Sequence, residues 1–309
     1  MAEHNDTIWI ISPLKGIDLG DQPEVPLADG FALMRANQRL NGAREELKLL
    51  LSSVQIHNLS KVLWFFTSRI PQSTLNAVDV PKSIELFQDA FMAFQVVKPI
   101  ETYGLIFHGV ERMGSSLCWQ GIDDRHWPMM AGMWAQLRAF DDPLLQEAQG
   151  ILSRVRDVMK GSEISKRNAI HLLQLALEHP HPYVACLLAV MGMEAILDSR
   201  DRRDFEGKLC DMLGASALAF PDWNSPEFPA LKYTVKDLAM HLYTLRSKIA
   251  HGADLTRAAK DKNAPVDLHQ FKEYIVAEGS ELESEPIRYA TLLGEAAIYL
   301  LGQVIRKVL

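Results

Sequence analysis

The chain reads as an α+β domain over residues 1–140 followed by an all-α helical bundle over residues 141–309. Three observations predict this. Short apolar runs rich in β-branched and aromatic residues occur before residue 140, separated by glycine, proline and aspartate, as buried strands are. Beyond that point apolar residues recur at intervals of three and four, the repeat that gathers them on one side of a helix. With 309 residues, of which 48% are hydrophobic and 23% charged, there is chain enough for two cores in an ordinary globular protein.

Thr7 to Ser12, Val62 to Thr67, Phe94 to Val97 and Leu105 to Val110 have the composition of buried strands, and Trp64-Phe65-Phe66 is expected to be strand core. Pro13 to Gly30, rich in proline, glycine and aspartate, predicts a long connection. Asn41 to Val54 and Pro81 to Phe94 predict helices, the second opened by a proline at its first helical position. Trp127 to Phe140 places Trp127, Met130, Trp134 and Leu137 on one face, and Asp142-Pro143 opens a further helix to about Met159, where Gly161 and Ser162 break it. Helices are then expected at 165–178, 182–198, 203–213, 232–251, 266–277 and 285–308. His179-Pro180-His181-Pro182 separates the first two, and Pro221 to Pro229 and Ala253 to Pro265 read as surface loops.

Charge and composition narrow the function. A formal charge of −7 argues against broad, sequence-blind attachment to nucleic-acid backbone, which depends on many cations displacing counterions, so any nucleic-acid site must be local. The three cysteines, Cys118, Cys186 and Cys210, are widely spaced, with neither a paired C-x-x-C arrangement nor an even disulfide set, which points to a reducing compartment. Met1 to Asp6 is polar and acidic, unlike a secretory signal, and no uncharged apolar run approaches the ~20 residues of a membrane span. The expected location is cytoplasmic, with no membrane contact. No G-x-G-x-x-G or Walker pattern supplies a phosphate cradle, and no cofactor is implied.

The densest chemistry lies in Leu245-Arg246-Ser247-Lys248-Ile249-Ala250-His251-Gly252. Val235, Leu238, Leu242, Leu245 and Ile249 draw an apolar stripe down a helix from about Lys236 to Ala250, and Gly252 can adopt the left-handed conformation that closes it. Arg246 and His251 fall off that stripe, about 140° apart on an ideal helical wheel, a gap that an arginine arm can largely bridge. Both can then address one phosphate. The same two residues also suit a plain helix end, since cations are favourable there and cap the last carbonyls without any catalysis. Two other clusters have structural readings. His179 and His181 lack a nearby third metal ligand and suit a solvated turn, and Asp123-Asp124-Arg125-His126 suits the N-terminal cap of the helix that follows.

Tyr243 to Gly252 resembles the terminal-helix signature of HEPN domains, most closely the ApeA-like branch associated with abortive phage infection. Upstream, Ala185 to Leu197 resembles that family's second helix, with Glu194 in its acidic position. Phe205-Glu206-Gly207-Lys208-Leu209 is similar to the short linking helix, although a basic residue expected soon after it is absent. The resemblance covers roughly residues 165–309. It implies a HEPN-like helical bundle that often forms homodimers, bringing two arginine and histidine pairs into one cleft, and in many members a metal-independent ribonuclease acting on RNA.

Carried over residue by residue, His251 matches the catalytic histidine, Arg246 the phosphate-binding arginine, Ser247 the polar residue after it and Glu194 the acid of the second helix. Glu194 serves equally as an orienting partner for Arg246 or as half of a structural ion pair, and Ser247 as an exposed helix residue or an RNA contact. The expectation is a bacterial antiphage or toxin-type endoribonuclease whose N-terminal domain senses a regulatory trigger. The alternatives are a non-catalytic HEPN module that binds a nucleotide or a protein partner, and a purely structural helix end.

Overall fold

The central strand of the N-terminal sheet, Thr7–Lys15 (β1), has seven consecutive buried residues, so both of its faces are covered. It belongs to a computed structural model that describes residues 6–71, 80–102, 104–112, 117–123, 140–179, 181–217, 234–251 and 285–309. The chain divides into two compact units. The first comprises Met1–Gln95, Pro99–Ala131 and Ala139–Met159, and the second Val96–Lys98, Gly132–Arg138 and Lys160–Leu309.

In the first unit, β1 pairs antiparallel with Trp64–Pro71 (β4) on one side and with Ile106–Glu111 (β6) on the other. Glu101–Thr102 (β5) also pairs with β1, at Leu14 and Lys15, beyond the stretch that β6 uses. Glu24–Pro26 (β2), Phe31–Arg35 (β3) and Leu117–Asp123 (β7) complete an antiparallel sheet in the order β2-β3-β4-β1-β6-β7. Because side chains alternate across a strand, Trp9 and Ile11 face one cluster and their neighbours Ile8 and Ile10 the opposite side. The first face is covered by the helices Gln38–Glu46 (α1) and Ser53–Leu59 (α2), through Leu40, Ala43, Leu47 and Leu59.

An aromatic cluster fills the other face. Phe66 of β4 lies 4.7 Å from Phe87 and 5.4 Å from both Phe91 and Phe94, all on the helix Val80–Val97 (α3). The helix Asp142–Lys160 (α4) buries Leu144, Leu145, Ala148, Ile151, Leu152, Val155 and Val158, the spacing of a one-sided helix. It is fastened to the turn between β2 and β3 by Arg156 donating to Asp29 and by Gln149 Nε2 donating to the Pro26 carbonyl at 3.3 Å. Expected in the C-terminal domain, α4 therefore falls in the first unit almost to its end.

The described elements that lie wholly within the second unit are all helices: Ile164–Glu178 (α5), Pro182–Leu197 (α6), Arg202–Leu213 (α7), Val235–Ala250 (α8) and Glu285–Val308 (α9). The α6 helix is apolar nearly all round and packs against each of the other four. A methyl group added at Gly192 would lie 2.7 Å from Leu301 Cδ2, so α6 and α9 approach as closely as they do because that position has no side chain.

Several expectations need correction. Phe94–Val97 is not a strand but the last turn of α3, buried on all sides so that no helical repeat shows in it. The single helix expected over 41–54 is broken: α1 ends at Glu46, Lys48–Leu50 forms a 3-10 turn, and Ser52 starts α2 with a capping box closed by Gln55. The long connection from 13 to 30 contains the end of β1 and all of β2. Strands β3, β5 and β7 were not expected. The helices at 127–140 and 266–277, the loops at 221–229 and 253–265, and Asp124, Arg125 and His126 lie outside the described residues, apart from Phe140, whose ring is 5.6 Å from that of Phe94.

Burial sorts the three thiols. Cys118 is exposed, Cys210 is partly covered, and Cys186 is fully buried in α6, where desolvation pushes its thiol up to about 12. An alkylating reagent applied at about pH 8 is expected to label Cys118 first, Cys210 more slowly and Cys186 only after a denaturant is added. Peptide mapping by mass spectrometry reads this order, and labelling of Cys186 in the native protein would contradict the packing of α6.

Candidate functional site

The α8 helix starts where Thr234 caps it. The Thr234 hydroxyl accepts the Asp237 N–H at 3.2 Å, and the Asp237 carboxylate accepts the Thr234 N–H at 3.1 Å. Its apolar stripe then faces inward: Val235, Leu238, Leu242 and Leu245 are buried and Ile249 is half-buried. That burial fixes the rotation of the helix about its axis, and with it the direction in which the polar residues point. Arg246 and Ser247 are left half-buried beside the stripe, while His251 is exposed just past the last helical residue.

Arg246 is held from two sides. Its Nε donates to Glu194 Oε2 at 3.0 Å, joining α8 to α6, with side-chain exposures of 29% and 16% for the two partners. Its guanidinium carbon lies 5.7 Å from the centre of the Tyr243 ring, which in turn packs 5.4 Å from the ring of Phe205 on α7. Neither Nη group has a hydrogen-bond partner among the described residues. Among the described residues the outer edge of the guanidinium is therefore unpaired while its inner edge is fixed, the arrangement that suits bidentate binding of a phosphate.

His251 caps α8 with φ −92° and ψ 6°, and its backbone N–H donates to the Ser247 carbonyl at 3.0 Å. Its imidazole has no partner among the described residues. Ser247 thereby positions the histidine through its backbone, and its hydroxyl likewise has no partner among the described residues. Gly252, expected to close the helix, lies outside them.

The linking helix has a visible task. Asp198 ends α6 in the left-handed conformation, with φ 48° and ψ 50°, and its carbonyl accepts Lys208 Nζ at 2.7 Å. Lys208 also pairs with Asp204 at 2.9 Å. The Arg200 backbone N–H and then Lys208 hold the Asp204 carboxyl below its usual range. With Phe205 buried on the same helix, α7 buttresses the end of α6 that carries Glu194 and the Tyr243 ring beneath Arg246. At the other end of α6, the His181 backbone N–H donates to His179 Nδ1 at 3.1 Å, so this histidine pair is used in the turn that starts the helix.

One polar residue of α8 escaped the sequence reading. His241 is 9% exposed, and its Nδ1 has no partner among the described residues. The signal was available, because His241 lies three residues after Leu238 and four before Leu245, on the buried stripe itself.

No family model matches the chain, and no curated protein or solved structure is similar to it.

Desolvation, partly opposed by Asp237, holds the His241 imidazole below its usual 6.5. The folded protein keeps this ring neutral where the unfolded chain takes up a proton, so its effect on stability vanishes above a pH of about 6.5 and becomes a loss as the pH falls below that value. Urea unfolding at about pH 7.5 and about pH 5.5 is expected to show a larger loss for the native sequence than for His241→Leu. Equal losses in the two proteins would show that this ring is not the source.

Proposed function

We propose that the C-terminal unit is a HEPN-type, metal-independent endoribonuclease site and that the protein is a cytoplasmic enzyme of bacterial antiphage defence or toxin type. The observation that carries this reading is Arg246, anchored at Nε by Glu194 and backed by Tyr243, whose Nη groups, like the imidazole of His251 just past the end of the same helix, have no partner among the described residues. The sequence resemblance supplies the reaction, and the geometry supports the roles.

Cleavage of RNA without metal needs a base for the ribose 2′-hydroxyl proton, a cation for the charge that builds on phosphorus and an acid for the departing 5′-oxygen. The 2′-oxygen forms a bond to phosphorus as the bond from phosphorus to the 5′-oxygen breaks, leaving a 2′,3′-cyclic phosphate and a 5′-hydroxyl. An imidazole can accept the first proton or donate the second near neutral pH, because its ordinary pKa is about 6.5. One cannot do both in a single step. Two copies paired through the C-terminal units would supply one histidine for each task and two guanidinium groups for the phosphate. Glu194 then positions Arg246, Ser247 sets the backbone turn that presents His251, and the N-terminal unit carries the regulatory input.

Arg246 alone favours a second reading, a non-catalytic module that grips a nucleotide phosphate while His251 only caps the helix. Incubation of the full chain with short RNA in the presence of EDTA distinguishes the two. The native protein is expected to yield cyclic-phosphate products, with rates lowered about 10²- to 10⁴-fold in His251→Ala and comparably in Arg246→Ala. Glu194→Gln should retain binding with a slower rate, since it leaves the cation in place but less well oriented. Equal cleavage by the native protein and His251→Ala would remove the proposed base, and RNA binding lost only in Arg246→Ala, without products from any of the proteins, would establish the second reading.

A further inference from the structure

The α6 helix has the composition of a fully enclosed helix, yet one side of it meets solvent. Ala185, Cys186, Ala189, Val190, Met193 and Leu197 are buried on one side, and α5, α7, α8 and α9 pack against the helix. Opposite them, Val184, Leu187, Leu188, Met191 and Ala195 fall within about 100° on a helical wheel and draw an apolar stripe along the helix. Met191 is 40% exposed and the other four are half-buried. A continuous apolar stripe of this kind marks a contact, because it gains free energy when it leaves water.

Two features identify the occupant as a second copy of this chain. The first is charge. The C-terminal end of α6, negative by its dipole, also carries Glu194 and Asp198, whereas its first turn has no acidic residue and is preceded by the exposed His181. Positions 188 and 191, 184 and 195, and 181 and 198 are symmetric about one midpoint. An antiparallel pair of α6 helices centred there sets Leu188 against the partner's Met191, Val184 against the partner's Ala195 and His181 against the partner's Asp198, with the two dipoles opposed. The second is position. Glu194 borders the stripe about 7 Å along the helix from that midpoint, so the Glu194 and Arg246 pair of each copy flanks the same contact.

We infer that α6 is the twofold contact of this protein, two copies packing α6 antiparallel on α6 through Val184, Leu187, Leu188, Met191 and Ala195, with Arg246 of each copy at the edge of the contact. The inference rests on the nuclease reading for its purpose, since cleavage needs two imidazoles and each chain brings one, while its geometry rests on α6 alone. Helix axes in such a pair stand about 8–10 Å apart, a separation that side chains as small as Val184 and Ala195 allow at its two ends.

Sedimentation velocity of the full chain reads the assembly without RNA. The native protein is expected to be a dimer at micromolar concentration, and Met191→Glu to raise the dissociation constant at least about a hundredfold, because it buries two unpaired carboxylates in the contact. Met191 is exposed in the single chain, so the circular dichroism and thermal midpoint of that chain should hold. Orientation is read with single cysteines in a Cys118→Ser, Cys210→Ser background, where Cys186 is buried and inert. Val184→Cys and Ala195→Cys chains should join by a disulfide when mixed under mild oxidation, and neither should join to its own kind, since like positions stand about 16 Å apart along antiparallel helices. A monomeric native protein, a Met191→Glu chain that dimerises as well as the native one, or cross-linking of either cysteine to its own kind would each overturn the proposal. A native dimer that Met191→Glu breaks, with no RNA products from the native protein, would instead uphold the contact and remove the nuclease reading.

Discussion

The hydrogen bond from Arg246 Nε to Glu194 Oε2 ties the helix that ends at His251 to the helix that packs against every other described helix of its unit, and the geometry of the candidate site follows from it. Its stability value is small. Both groups are mostly covered, so each has given up much of its hydration, and a single charge-assisted bond of this kind roughly offsets that loss. Its value is positional. A guanidinium cannot discharge to escape a poor environment, so with Glu194 in place the arm is drawn against α6 instead of swinging into solvent.

Packing on the neighbouring helix keeps that arrangement rigid. The apolar stripe of α8 decides which way Arg246 leaves the helix, and Tyr243, three residues earlier, lies beneath the guanidinium with its own ring against Phe205. Phe205 is fixed in turn because α7 is capped by Asp201 and fastened to the last turn of α6 by Lys208. Three separated segments thus converge on one cation. A change in Phe205 or Lys208 would reach Arg246 through contacts alone, although neither residue touches it.

The legible parts of this molecule are those where one physical signal stands unopposed. The α8 helix could be placed from its apolar stripe, and α4 from Asp142-Pro143 at its start. The partnership of Glu194 with Arg246 could be named as a possibility from residue type, but only packing decides that the two side chains meet. The end of α3 was illegible because Phe91 to Val97 is buried on every side, which erases the helical repeat and leaves a run that resembles a strand. Strand β3 was missed for the same reason, since Phe31 to Met34 is buried on both faces and shows no alternation. His241 could be placed on the apolar stripe from its spacing, three residues after Leu238 and four before Leu245, whereas the lowered basicity of its ring follows only from the packing that desolvates it.

The charge balance constrains how RNA would be held. With 39 acidic residues against 32 lysines and arginines, the protein as a whole repels a polyanion, so long-range steering cannot supply the affinity. In the proposed shared cleft, two guanidinium groups and the one histidine that serves as acid would neutralise a few phosphates at most. Each single-strand phosphate contact contributes a slope of about −0.7 to the dependence of log affinity on log salt, so binding through so few contacts is only shallowly salt-dependent. The remainder must come from contacts to unstacked bases and from the shape of a loop, the features by which proteins recognise single-stranded RNA without a basic surface. A site of this construction is selective by necessity, because a substrate that offers only its backbone gains too little to offset the repulsion from the rest of the chain.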